Sequence, residues 1–207
     1  MRGRIVGLFL SLIILCSVVA RADAQSVAGE DRAQNMLSKL SSVMLSMPSY
    51  CVDFEAKAGE ETLRGEYVVS GDRYHISLAD MEVYGDAKLR YEVDKSKREV
   101  VIDVADTESH NLLSNPTHAF SFVGEEYRAE LLSEDGTEAV LRLTSRDDLS
   151  SEVITITLTR RDNLPRSITY DVEGDRVEIY IRNLKQGVEP RIYDAARYAD
   201  FEIIDFR

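Results

Sequence analysis

The chain has no tryptophan, four prolines, three histidines and two cysteines in 207 residues, and these shortages exclude several functions at once. His75, His110 and His118 form no i, i+4 pair and have no cysteine partner, so the ligand spacings of a zinc site are missing. No serine stands in a G-x-S-x-G elbow and no glycine-rich loop leads into a helix, which removes two nucleophile and phosphate motifs. Glu125-Glu126, Glu134-Asp135 and Asp147-Asp148 sit at turns or strand ends, where carboxylates are ordinarily solvated, so they do not suggest a hydrolase pair. A protein that is not an enzyme, with no cofactor and no metal, is the expectation. Basic charge is scarce too: 25 Lys and Arg against 37 Asp and Glu leave a net charge of −12, which argues against nucleic acid. Such acidity suits solubility and transient docking on basic partner surfaces.

The one long apolar run is Ile5 to Ala20, preceded by Arg2 and Arg4 and followed by Ala22-Asp23-Ala24. It reads as a secretory signal peptide over residues 1–24 with an A-x-A cleavage site. A membrane anchor is the competing reading, but the run falls short of the roughly 20 residues a spanning helix needs. Lipidation at Cys16 is a second alternative, opposed by Leu15, where that processing wants a small side chain. Cleavage would remove Arg2, Arg4, Arg21 and Asp23 and leave residues 25–207 more acidic still, as a single domain with a real core. Cys51 would then have no internal disulfide partner; between Tyr50 and Val52 it reads as a buried thiol, in a monomer.

From Asp31 to Met47 the apolar residues Ala33, Met36, Leu37, Leu40, Val43, Met44 and Met47 recur in steps of three and four, predicting one amphipathic helix. Asp31 with Gln34 suggests a capping box at its start, and Pro48-Ser49 its end. After it come period-two runs: Tyr50 to Ala58, Leu63 to Val69, Tyr74 to Leu78, Met81 to Tyr84, Leu89 to Val93 and Glu99 to Val104. Asn115-Pro116 predicts a short helix carrying Phe120. Strand rhythm returns at Tyr127 to Leu132, Glu138 to Thr144, Val153 to Thr159, Ser167 to Tyr170 and Arg176 to Leu184, with Asp162-Asn163 as one of the later turns. One helical turn at Asp194 to Tyr198 and a closing strand, Phe201 to Phe206, follow. A mainly β (α+β) protein is expected, an antiparallel sheet curved around the first helix, which covers its hollow.

If the alternation is read correctly, Phe54, Tyr67, Val69, Tyr74, Ile76 and Leu78 face Met36, Leu40, Met44 and Met47 of the helix, with Phe120 from the short helix. Methionines on that stripe suit either ordinary core or a surface that repacks around an apolar ligand.

The order of elements carries a resemblance: an apolar leader, an amphipathic helix, a strand with Phe54, then G-E-Y-V-V-S-G-D-R-Y from Gly65 to Tyr74. The hairpin at Gly85-Asp86, the Asn115-Pro116 helix and the ending F-E-I-I-D-F-R complete it. In this the chain resembles the periplasmic LolA-like lipoprotein carriers of Gram-negative bacteria over nearly all of residues 25–207. The resemblance implies an incomplete, strongly curved antiparallel barrel with helices on its concave face. It also implies a periplasmic carrier for the acyl chains of lipoproteins, loaded by an inner-membrane ABC exporter and unloaded at an outer-membrane acceptor or membrane, without enzymatic activity. Two positions depart from that family: Gly71-Asp72 replaces an Arg-Pro after the second strand, so the arginine that helps hold the lid has no match, and the Asp-Gly turn is reversed as Gly85-Asp86. A binding protein for another lipid or apolar ligand, and a non-catalytic envelope-interaction domain with a filled core, are the rival readings.

Overall fold

The computed structural model describes residues 29–105, 117, 120, 127–146, 153–172 and 175–207. The leader and most of the Asn115-Pro116 helix lie outside the described residues. Helix α1 covers residues 29–45. Twelve strands follow: β1 (Ser49–Ala58), β2 (Glu61–Ser70), β3 (Arg73–Leu78), β4 (Met81–Gly85), β5 (Leu89–Asp94), β6 (Glu99–Val104), β7 (Tyr127–Glu134), β8 (Glu138–Ser145), β9 (Val153–Thr159), β10 (Pro165–Val172), β11 (Asp175–Gln186) and β12 (Glu202–Asp205). A 3-10 turn, Ala195–Tyr198, precedes β12 and is capped by the Asp194 carboxylate, which accepts from the Ala196 N–H at 3.0 Å.

All twelve strands join one open sheet in the order β12-β6-β5-β4-β3-β2-β1-β11-β10-β9-β8-β7. It consists of two meanders, β1 to β6 and β7 to β11, seamed where β1 pairs antiparallel with β11. Only β12 pairs in parallel, along β6. The open, curved, mainly antiparallel sheet around a helix is the architecture the LolA-like resemblance implied. Three one-residue irregularities help bend it, in β1·β11 at Asp53/Phe54, in β10·β9 at Pro165/Ser167 and in β7·β8 at Leu131/Ser133, since an extra residue on one strand kinks and twists it.

Two glycines shape the concave face. Gly65 stands opposite Phe54 and Gly85 opposite Tyr74 in the ladder. A Cβ at Gly65 would lie 2.4 Å from Phe54 Cζ, and one at Gly85 2.2 Å from Tyr74 Cζ, so each ring lies flat over the bare backbone of its partner. The aromatic rings are thereby laid against the sheet and the helix can come close.

Helix α1 buries Ala33, Met36, Leu37, Leu40 and Met44 against Tyr50, Val52, Phe54, Tyr67, Ile76 and, from the second meander, Leu141, Leu143, Ile154, Ile156 and Leu158. The stripe is the expected one. Its start is not: residues 29 and 30 are already helical, so Asp31 is an exposed residue inside the helix and not the N-cap. Gly29 and Glu30 simply extend the pattern backwards, and a carboxylate in the first turn still interacts favourably with the helix dipole.

The other face of the sheet departs from simple alternation. Val68, His75, Glu82, Tyr84, Val93, Val100 and Ile102 are all buried there, because the chain after β11 runs back across the sheet as a strap to reach β6. Tyr193 stacks on Tyr91 at 4.1 Å and on Tyr198 at 5.7 Å, and Tyr84, Val93, Val100, Ile102 and Tyr198 form a second apolar cluster. Cys51 is buried as a free thiol on this face, 2 % exposed, as its neighbours suggested.

Candidate functional site

The eleven residues expected to line the hollow all belong to one apolar cluster beneath α1. Met36, Leu40 and Met44 contribute from the helix, Phe54, Tyr67, Val69, Tyr74 and Ile76 from the sheet, and Phe120 from the connection between β6 and β7, all buried, while Met47 and Leu78 are half-buried at its margin. Five of them, Met44, Phe54, Tyr67, Ile76 and Phe120, border the space that remains, together with Val52, Pro165, Ile168, Ile179 and Ile181. The other six belong to the packed core or its margin. Of the five added residues, Val52 shares the Phe54 face of β1 by alternation, and the other four are not singled out by the sequence pattern. Ile168 and Ile179 face one another across β10 and β11, and they reach the Phe54 side only through the β1·β11 seam, which no local pattern reveals.

The remaining space measures about 20 Å³ and its lining is apolar. That is room for about one water, against the roughly 150 Å³ an apolar cavity needs to admit benzene. The helix therefore sits in the hollow in a closed arrangement, with Met44 as its one residue bordering the remaining space. The nearest polar atoms satisfy each other: Tyr67 Oη donates to Tyr50 Oη at 2.8 Å, with the rings edge-to-face. Burial pushes the Tyr50 phenol up to about 12, and that of Tyr67 well above its usual range, so neither carries charge at neutral pH.

Polar ties hold the N-terminal half of α1. Asn163, in the β9–β10 turn with φ of 60°, is 5 % exposed and donates from Nδ2 to the Met36 carbonyl at 2.9 Å. Arg32 Nη2 meets Glu134 Oε1 at 2.8 Å, and Arg160 Nη1 meets the same oxygen at 2.6 Å. From sequence, Asp162-Asn163 reads only as a turn. The positive φ, which asparagine tolerates better than most residues, is what aims its amide at the helix. Met44 and Met47, nearer the sheet's first strand, are held by apolar contact.

Two clusters lie outside the hollow. Glu82 is buried under the strap and accepts from Tyr198 Oη at 2.8 Å, from Tyr84 Oη, and from Lys95 Nζ at 2.6 Å. Burial alone would raise its carboxyl, but the bonds from Lys95, Tyr84 and Tyr198 outweigh that and hold it at about 2. His75, fully buried beside it, has neither ring nitrogen hydrogen-bonded, and burial lowers its pKa. On the same face the Cys51 thiol and the Asp53 and Glu66 carboxylates offer ligand atoms within 4.8 Å of one another, the one such group among the described residues. Burial and the two carboxylates push the thiol up to about 11, and Lys185 Nζ stands 3.3 Å from Asp53. The thiol is therefore protonated and unreactive at neutral pH.

No protein-family model matches the chain, and no curated protein does. Solved structures do. An uncharacterized conserved protein from Thermus thermophilus matches 84% of this chain and 99% of its own, at 11% identity and a TM-score of 0.53. MucB matches 79% of this chain at 18% identity and a TM-score of 0.52, and the match takes in 62% of MucB, less than two thirds of its length. A LolA superfamily protein from Nitrosomonas europaea matches 76% of this chain and 94% of its own, at 12% identity and a TM-score of 0.39. The fold is shared with the first two of these, and at such identities the likeness extends to the fold alone.

Proposed function

We propose that the protein is a non-enzymatic periplasmic carrier that takes the acyl chains of lipoproteins into the hollow beneath α1 and conveys them from the inner to the outer membrane. The observation that carries this reading is an apolar hollow covered by the amphipathic helix α1 and bordered by methionine, aromatic and isoleucine side chains. In the closed arrangement the hollow is too small for an acyl chain, so loading requires α1 to swing outward on its connection to β1. Burial of cargo drives this: a chain of about 14 CH₂ groups gains roughly 11 kcal/mol on leaving water. Uncovering the apolar stripe of α1 opposes it, at about 1.5–3 kcal/mol for each large side chain that the cargo does not cover again, and the polar ties add about 1 kcal/mol for the Asn163 bond and less for each exposed ion pair. An inner-membrane ABC exporter as donor and an outer-membrane acceptor, or the membrane itself, complete the reading.

A second reading is a non-catalytic envelope-interaction domain. The nearly filled hollow favours it, and MucB has been crystallised in a complex with MucA. Native mass spectrometry of gently purified protein, followed by uptake of a fluorescent fatty acid, separates the two. Co-purifying lipid and saturable uptake support the carrier; an empty protein that takes up no fatty acid supports the interaction domain.

A further inference from the structure

Beside the hollow, on the outer flank of α1, lies an open cleft of about 470 Å³ bordered by Asp31, Arg32, Asn35, Met36, Lys39, Arg160 and Asn163. Its charge runs against that of the chain. Three cations line it in a protein of net charge −12. Asp31 is the lone carboxylate among the described residues of its wall, and Glu134 is shared between Arg32 and Arg160. Two guanidiniums on one carboxylate leave a surplus of positive charge, and the Lys39 ammonium is exposed with no ion pair among the described residues.

The cleft and the hollow share no lining residue in the closed arrangement, but residues of one lie next to the other along the chain. Met36 borders the cleft and belongs to the buried stripe, and its carbonyl holds Asn163 Nδ2. Asn163 borders the cleft and Pro165, two residues on, borders the hollow. From Met36 to Met44, which borders the hollow, is about 12 Å along the helix, a length an extended alkyl chain can span.

Resting on the carrier reading above, we infer that this cleft receives the anionic headgroup, a phosphate or carboxylate, of the amphiphile whose chain enters the hollow. Arg32 and Arg160 present planar donors to the anion, Lys39 supplies a mobile point charge, and the apolar floor at Met36 leads the chain under the helix. Between two amphiphiles of the same acyl length, the protein thus prefers the one with an anionic group beside its chain.

The test uses the full chain with two probes of equal acyl length, lysophosphatidic acid and the corresponding neutral monoacylglycerol, with glycerol phosphate as the chainless control. The expected result is a preference for the anionic probe on the order of tenfold, as one or two charge-assisted bonds at a solvent-facing site provide. The preference should shrink when ionic strength rises from about 0.1 M to about 1 M and the Debye length contracts from about 10 Å to about 3 Å. Lys39→Glu and Arg160→Gln should each reduce it while monoacylglycerol still binds. Equal binding of both probes by the unmodified protein, or a preference that survives both substitutions together, overturns the inference and leaves the carrier reading intact. Failure to bind either probe sinks both. Glycerol phosphate binding as tightly as lysophosphatidic acid overturns the link to the hollow, since the chain would then contribute nothing.

Discussion

The bond from Asn163 Nδ2 to the Met36 carbonyl is the best place to perturb the closed state, because it ties helix to sheet through one buried amide. Asn163→Gly removes that amide and keeps the backbone, since glycine adopts the φ of 60° without strain. The Met36 carbonyl lies mid-helix and keeps its intrahelical bond, so no buried group is left unpaired; the loss is the net worth of one hydrogen bond, about 1 kcal/mol. If α1 must open before cargo enters, apparent affinity scales with the open fraction, and about 1 kcal/mol raises that fraction roughly fivefold. Thermal melting by circular dichroism should therefore show a modest drop while fatty-acid affinity rises roughly fivefold. Asn163→Ala, which also strains the left-handed backbone, should melt lower still. A lowered melting temperature with unchanged or weaker affinity refutes the reasoning, because the bond would then stabilise the fold without restraining entry.

Phe54→Glu places a carboxylate at a site 5 % exposed, which costs several kcal/mol unless the helix lifts and admits water; a folded variant with lost uptake supports the carrier, wholesale unfolding the interaction domain. Gly85→Ala drives a methyl to within 2.2 Å of the Tyr74 ring, and the ring's displacement should cost about 1–3 kcal/mol in urea unfolding. Adding Tyr74→Leu should recover much of that loss, and additive costs would mean the two positions are not in contact. Acid should loosen the strap. Glu82, held at about 2 in the folded protein, contributes stability that is complete above about 4.5 and lost as pH falls toward about 2, while His75, buried neutral, adds a loss that begins as pH drops below its unfolded value of about 6.5. Tyrosine fluorescence melts across pH should show both limbs, with Glu82→Gln flattening the lower one; an unchanged lower limb would remove Glu82 from the account.

Sequence alternation locates the strands well where one face meets the core and the other meets water. The run Val153 to Thr159 alternates Ile and Leu with Thr from Ile154 onward, and β9 has those bounds. Alternation serves poorly where both faces are covered: Tyr84 and Glu82 look like the outward half of a strand until the strap bearing Tyr193 and Tyr198 lies over them. That contact joins residues more than a hundred positions apart, beyond any local pattern. The helix starts earlier than its capping chemistry suggests, because nothing before Asp31 and Gln34 stops it. The candidate site is half legible for a similar reason. Phe54, Tyr67 and Ile76 are read from neighbouring strands, whereas Ile168, Ile179 and the amide of Asn163 arrive from the second meander.

The seam between the meanders also sets how the chain comes to fold. Within each meander every strand pairs with its sequence neighbour, so hairpins close over a few residues at little entropic cost. The seam brings Tyr50 against Gln186 and cannot form until nearly all the chain is available. Until then β1 and β11 are bare edges, each with a free row of N–H and C=O groups and apolar side chains that the helix cannot yet fully cover. A chain emerging unfolded into a compartment would thus pass through two half-sheets, each open to a partner strand. That interval is when a chaperone would matter most and when substitutions that weaken β1·β11 would lead to aggregation before they register as lost stability.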